Sequence, residues 1–185
     1  MTSKTALLVM DVQKGIVGRV EDAGYTKRLA TAVDAARAAG VPVVHVLIGF
    51  RPGHPEISPA NKNFSALAVG DAFTPADPNA DPHPDVAPRD GEVVVTKKRV
   101  SAFTGSGLET VLRARGYEHL VLAGVATSGV VLSTLRQAAD LDYALTVLSD
   151  GCADADEEVH RVLTEKVFPR QADVVTIEQW AASLA

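Results

Sequence analysis

Three stretches of this 185-residue chain carry groups able to do chemistry. They are Asp11 in Leu7-Leu8-Val9-Met10-Asp11-Val12-Gln13, Lys97 in Lys97-Lys98-Arg99-Val100-Ser101-Ala102-Phe103, and the turn Gly124-Val125-Ala126-Thr127-Ser128-Gly129-Val130. A carboxylate that follows four apolar residues at the carboxyl end of a strand is partly desolvated. Desolvation favours its neutral form and suits it to general acid or base work. The competing reading of Asp11 is an aspartate that caps the next turn. A lysine closing an apolar strand can orient a carboxylate and stabilise a developing oxyanion. Three consecutive basic residues also fit a solvated run, and Lys98, next along the strand, faces the opposite side from Lys97. The turn at 124–130 follows a strand and opens a helix, so its free N–H groups and the helix dipole favour negative charge. Within it, Thr127 and Ser128 read as helix caps before they read as nucleophiles.

The remaining polar residues give weaker signals. Cys152 is the chain's single cysteine, in Ser149-Asp150-Gly151-Cys152-Ala153-Asp154; it excludes an internal disulfide and has no activating base beside it in sequence. Five histidines stand at 45, 54, 83, 119 and 160, with no spacing that suits zinc. His45 lies inside a strand and reads as packed or hydrogen-bonded. Arg51 and His54 can bind a carboxylated substrate, with simple solvent exposure as the ordinary expectation. Gly105-x-Gly107 lacks the third glycine of a dinucleotide fingerprint, and there is no P-loop. The sequence therefore predicts no cofactor and no metal.

These residues need a scaffold, and the pattern around them supplies one. Apolar, β-rich runs at 5–10, 42–47, 92–96, 119–123, 144–149 and 173–177 alternate with helical spacing at 26–39, 106–115, 128–139 and 156–166. Gly40 and Gly116 follow two of the helices as C-terminal caps. Strands apolar nearly throughout are covered on both faces, and strand–helix alternation implies right-handed crossovers. The predicted fold is one three-layer α/β/α domain over residues 1–185, with a doubly wound, mainly parallel six-stranded sheet. Ligands in such sheets bind beyond the carboxyl ends of the strands, where Asp11, Lys97 and the 124–130 turn fall. Residues 51–91 break the rhythm: eight of the ten prolines lie there, as in a lid, a binding loop or an interface arm.

Bulk properties narrow the partners. Hydrophobic content of 46% and charged content of 22% describe a globular chain, and a net charge of −5 with no long run of like charges makes neither nucleic acid nor an anionic membrane a natural partner. No run approaches the roughly 20 apolar residues of a membrane span, and none resembles a signal peptide. A small-molecule ligand and a cytoplasmic location are the expectation.

Taken together, Asp11-x-Gln13, Lys97-x-x-x-Ser101-Ala102-Phe103 and Gly124–Thr134 resemble the isochorismatase-like hydrolase superfamily over nearly the whole chain. The resemblance implies Asp11 as general acid/base and Lys97 as its electrostatic partner. It implies a cis peptide joining Val125 and Ala126, and an oxyanion hole made by the N–H groups of Ala126 and Val130. Gln13, Phe103, Val125, Ala126, Thr127, Ser128 and Gly129 would border the substrate, and a homodimer or homotetramer would be the assembly. Position 130 departs from the pattern. Amidase members read Gly-x-Ala-Thr-Asp-x-Cys, with the cysteine as nucleophile; here the same place holds Val130, and Ser128 replaces the aspartate. Isochorismatases proper, which usually have glycine there, cleave a vinyl ether with the aspartate as proton donor and need no thiol. The metal-binding Asp-x-His of nicotinamidases is absent from residues 47–54. Three readings follow: a hydrolase without a cysteine nucleophile, of which enol-ether hydrolysis is the best single case; a silent small-molecule-binding protein; or an amidase using activated water or Ser128. The substrate is not legible.

Overall fold

The computed structural model describes residues 4–184. Six strands, β1 (Thr5–Met10), β2 (Val43–Ile48), β3 (Val93–Lys97), β4 (His119–Val125), β5 (Ala144–Ala153) and β6 (Asp173–Val175), form one sheet. All neighbours run parallel, in the order β3-β2-β1-β4-β5-β6. The order reverses between β1 and β4, so the crevice of this doubly wound sheet opens at the ends of those two strands.

Side-chain alternation builds a core on each face. Ala6, Leu8 and Met10 of β1 enter one cluster with Leu108 and Leu112 of α2 (Leu108–Arg115) and Leu135 and Ala138 of α3 (Leu132–Asp140). Leu7 and Val9 enter the other, against Tyr25, Leu29, Ala32, Val33 and Ala36 of α1 (Tyr25–Ala38). These α1 positions recur at the three-to-four spacing of a helix face that buries one stripe. Helix α4 (Glu157–Val162) begins on Asp156, whose carboxylate accepts from the N–H groups of Glu158 and Val159.

Boundaries differ from the sequence reading in instructive ways. β3 runs on to Lys97 and β4 to Val125, so these two residues are the last rungs of their strands, while Asp11 and residues 126–130 lie just past the strand ends. β6 stops at Val175, because Thr176 and Gln179 make a capping box that starts α5 (Ile177–Ala182), a helix absent from the sequence reading. Gly116 is the left-handed cap of α2, and Gly40, with φ 69°, lies just beyond α1. The proline-rich stretch carries single helical turns at Lys62–Ser65, Pro78–Ala80 and Pro84–Val86, and its Phe64 and Phe73 pack on Ile48 and Phe50. Among the described residues no helix is long and apolar enough to cross a membrane.

Candidate active site

Asp11 is the first residue past β1. Its backbone turns to φ 56°, a conformation uncommon outside glycine and concentrated at functional sites. Two hydrogen bonds hold it there: its N–H donates to the Val46 carbonyl at 2.8 Å, and its own carbonyl accepts from the Gln13 N–H at 2.9 Å. Lys97 closes β3, beside Ile48 of β2. From there its Nζ reaches Asp11 Oδ2 at 2.8 Å and donates to the Arg99 carbonyl at 2.9 Å. Both side chains are buried, Asp11 6% and Lys97 1% exposed. Burial pushes the Asp11 carboxyl up from 3.8 to about 6, with the charge and hydrogen bond of Lys97 pulling the other way. Oδ1 is buried and has no hydrogen-bond partner among the described residues. The capping reading of Asp11 is thereby corrected: one oxygen is spent on Lys97 and the other accepts no N–H of the turn.

Gln13 ties this corner to the proline-rich stretch. Its Nε2 donates to the carbonyls of Ile48 (2.9 Å) and Ala80 (2.7 Å), and its Oε1 accepts from the Ile48 N–H at 2.9 Å. Both amide protons are used, so Gln13 positions backbone and has none left for a ligand. Lys98 faces away from Asp11, as strand geometry predicts; its ammonium donates to the Gly49 carbonyl and lies 5.8 Å from the Phe50 ring centre.

The 124–130 turn is brought to Asp11 by a close strand approach. Gly124, opposite Met10 in the ladder, has φ 150°, and a Cβ there would sit 2.2 Å from the Met10 carbonyl oxygen. Only glycine lets β4 end so near Asp11. The Val125–Ala126 peptide is cis. A wide helical turn, Thr127–Val131, precedes α3 and is broken at Gly129 (φ −98°, ψ −105°). The Ala126 carbonyl accepts from Gly129 N–H (3.0 Å) and Val131 N–H (3.3 Å), and the Ala126 N–H enters neither bond.

Thr127 and Ser128 do not cap this helix, contrary to the sequence reading. Thr127 is fully buried, and its hydroxyl is held by His160 Nδ1 at 2.8 Å. The Ser128 N–H donates to Asp154 Oδ2 at 2.7 Å, just past β5. Burial holds the His160 imidazole below its ordinary value, with Asp154 opposing. Sequence reasoning missed His160, since its 33-residue separation from Thr127 carries no local signal.

Val130 is 2% exposed and shares an apolar cluster with Phe103 and Cys152. Phe103 packs on Tyr143, ring centres 6.2 Å apart. Cys152 pairs with Gly124 in the sheet, its Sγ 3.9 Å from the Leu122 carbonyl, and burial pushes its thiol up to about 12. Such a thiol stays protonated and is a poor nucleophile.

Two histidines settle as structural. His45 Nε2 meets Glu92 Oε2 at 2.9 Å, as a packed histidine should. His54 corrects the expectation of exposure: it is buried, with Nε2 2.7 Å from the Ala72 carbonyl, because its ring packs against Phe50. Arg51 is 77% exposed in its side chain. Among the described residues no group of three His, Cys, Asp or Glu side chains could hold a metal ion.

Comparison with known proteins gives a consistent picture. The isochorismatase domain family matches residues 5–179. The isochorismatase family protein YwoC of Bacillus subtilis is 32% identical over 177 residues, covering 96% of this chain and 92% of YwoC. The ureidoacrylate amidohydrolase RutB of Stutzerimonas stutzeri is 31% identical over 208 residues, covering 98% and 80% of the two chains. Among solved structures, an isochorismatase family protein from Burkholderia thailandensis superposes with a TM-score of 0.85 at 28% identity, over 98% of this chain and 95% of that one.

Proposed function

This protein belongs to the isochorismatase family of hydrolases, and we propose that it hydrolyses a small polar metabolite with Asp11 as general acid/base and no covalent thiol intermediate. The observation that carries this reading is the Asp11–Lys97 pair: a buried carboxyl pushed up to about 6, 2.8 Å from a buried ammonium, with one oxygen unpartnered. A carboxyl poised near 6 delivers and recovers a proton close to neutral pH. In the enol-ether case, protonated Asp11 gives its proton to the vinyl carbon and leaves an oxocarbenium ion. Water adds to that ion and returns a proton to the carboxylate, and the resulting hemiketal collapses to a ketone and the free alcohol. Lys97 steadies the Asp11 carboxylate between the two proton transfers. Nothing in the sequence bonds formed or broken needs a nucleophile at position 130.

A second reading is hydrolysis of a ureido or amide bond by water activated at Asp11, with the N–H groups of Ala126 and Val130 receiving the oxyanion. Similarity to ureidoacrylate amidohydrolases favours it. The functional unit in either case is a homodimer or homotetramer.

A hydrolysis panel of isochorismate, simpler enol ethers, ureido carboxylates and small amides separates the possibilities. The proposal expects turnover by wild type that disappears in Asp11→Asn. Turnover confined to amides and present only after Val130→Cys would overturn it, leaving a preserved scaffold that has lost its reaction.

A further inference from the structure

The turn that would supply the oxyanion donors is held from the neighbouring strand, β5, and the helix that follows it. Two residues do this, and neither belongs to the Asp11–Lys97 pair: Asp154, which accepts the Ser128 N–H at 2.7 Å, and His160, whose Nδ1 lies 2.8 Å from Thr127 Oγ1. Thr127 joins the cis Val125–Ala126 peptide to the broken helical turn, so its orientation sets where the N–H groups of Ala126 and Val130 aim. Its hydroxyl has no access to solvent and must find its partner within the protein. His160 is that partner, carried on α4, a helix begun by the Asp156 cap two residues after Asp154. Its ring also lines a cavity of about 640 Å³ with Asp150, Asp154 and Arg161, which gives it room to be replaced without collapse of the core.

We infer that His160 is a positioning residue for the ureido- or amide-hydrolysing reading, fixing the two oxyanion donors of that reaction through the hydroxyl of Thr127. The inference rests on that second functional reading for its catalytic meaning, and on the Thr127–His160 bond for its geometry. Donors that must meet charge in the transition state, and that contribute little to ground-state binding, affect kcat more than KM when misaligned. The bond involves one ring nitrogen, so the side chain able to replace it is the one that places a polar atom where Nδ1 lies. Asparagine does this; alanine does not.

The test is a set of variants of the full chain, His160→Ala, His160→Asn and Thr127→Val, read by amide NMR and by turnover of whichever ureido carboxylate or small amide of the panel wild type accepts. His160→Ala is expected to shift or broaden the amides of Ala126 through Val130 while the Asp11 carboxyl titrates as in wild type. It should lower kcat by about 10- to 100-fold with KM within about two-fold. His160→Asn should recover most of both signals, and Thr127→Val should reproduce the alanine defect without adding to it in the double variant. Turn amides in His160→Ala that superpose on those of wild type would overturn the inference, as would equal losses in the alanine and asparagine variants. The amide signals decide even if every substrate is refused, so failure of the hydrolytic reading and failure of this one are distinguishable.

Discussion

Replacing Lys97 by methionine should make the stability of this protein strongly dependent on pH. In the native protein the Asp11 carboxyl sits at about 6 against 3.8 when free. At about 1.4 kcal/mol per tenfold change in proton affinity, its ionised form is disfavoured by about 3 kcal/mol even with Lys97 alongside. The native state therefore binds the proton more tightly than the unfolded chain. The stability this confers is complete below about 3.8 and is lost as pH rises through about 6, after which the curve is flat. In Lys97→Met the opposing ammonium is gone, the carboxyl moves higher still, and the loss continues past 6. Breaking a buried pair in this way costs about 3–5 kcal/mol at pH 8, and far less near pH 5 where the acid is neutral. Asp11→Asn with Lys97→Met removes both charges and should recover most of the deficit. Urea unfolding followed by the fluorescence of the single, buried Trp180 measures all three at each pH. A Lys97→Met variant offset from wild type by the same amount at pH 5 and pH 8 would refute the coupling on which the site is built.

Three further outcomes follow from particular contacts. Burial alone would raise the Glu92 carboxyl, but Arg37 (2.8 and 2.9 Å), the Arg89 N–H and His45 hold it down to about 2. Its contribution is therefore present above about 4.5 and lost as pH falls through about 2, and Glu92→Gln should cost about 1–3 kcal/mol at pH 7 by chemical denaturation. Gly124→Ala places a methyl 2.2 Å from the Met10 oxygen and should destabilise by at least about 3 kcal/mol in the same assay, a loss no exposed glycine should match. Cys152, buried with its thiol pushed up to about 12, should resist iodoacetamide at pH 8 and be labelled only at the rate of unfolding.

How far the sequence could be read depended on the range of the signal. Parallel strands covered on both faces leave unbroken apolar runs, so β1, β2 and β4 were legible, and with them the ladder ends that carry Asp11 and the turn. α5 escaped because its six residues show a capping box, which is a local hydrogen-bond pattern, rather than several turns of periodicity. Asp11 and Lys97 were nameable as chemical groups, yet their contact depends on β3 lying two strands from β1, which no spacing reveals. The clasp of His160 and Asp154 on the turn was invisible for the same reason, as was the burial of His54 under a proline-rich stretch that packs as a small core.

The most direct test of thiol-free chemistry is the turnover of one accepted enol ether by wild type, Cys152→Ser and Asp11→Asn across pH 5–8. The account predicts that Cys152→Ser matches wild type, that Asp11→Asn falls by about 10²- to 10⁴-fold, and that wild-type kcat/KM declines as pH rises through about 6, where the acid loses its proton. Loss of activity in Cys152→Ser with Asp11→Asn still active would contradict it.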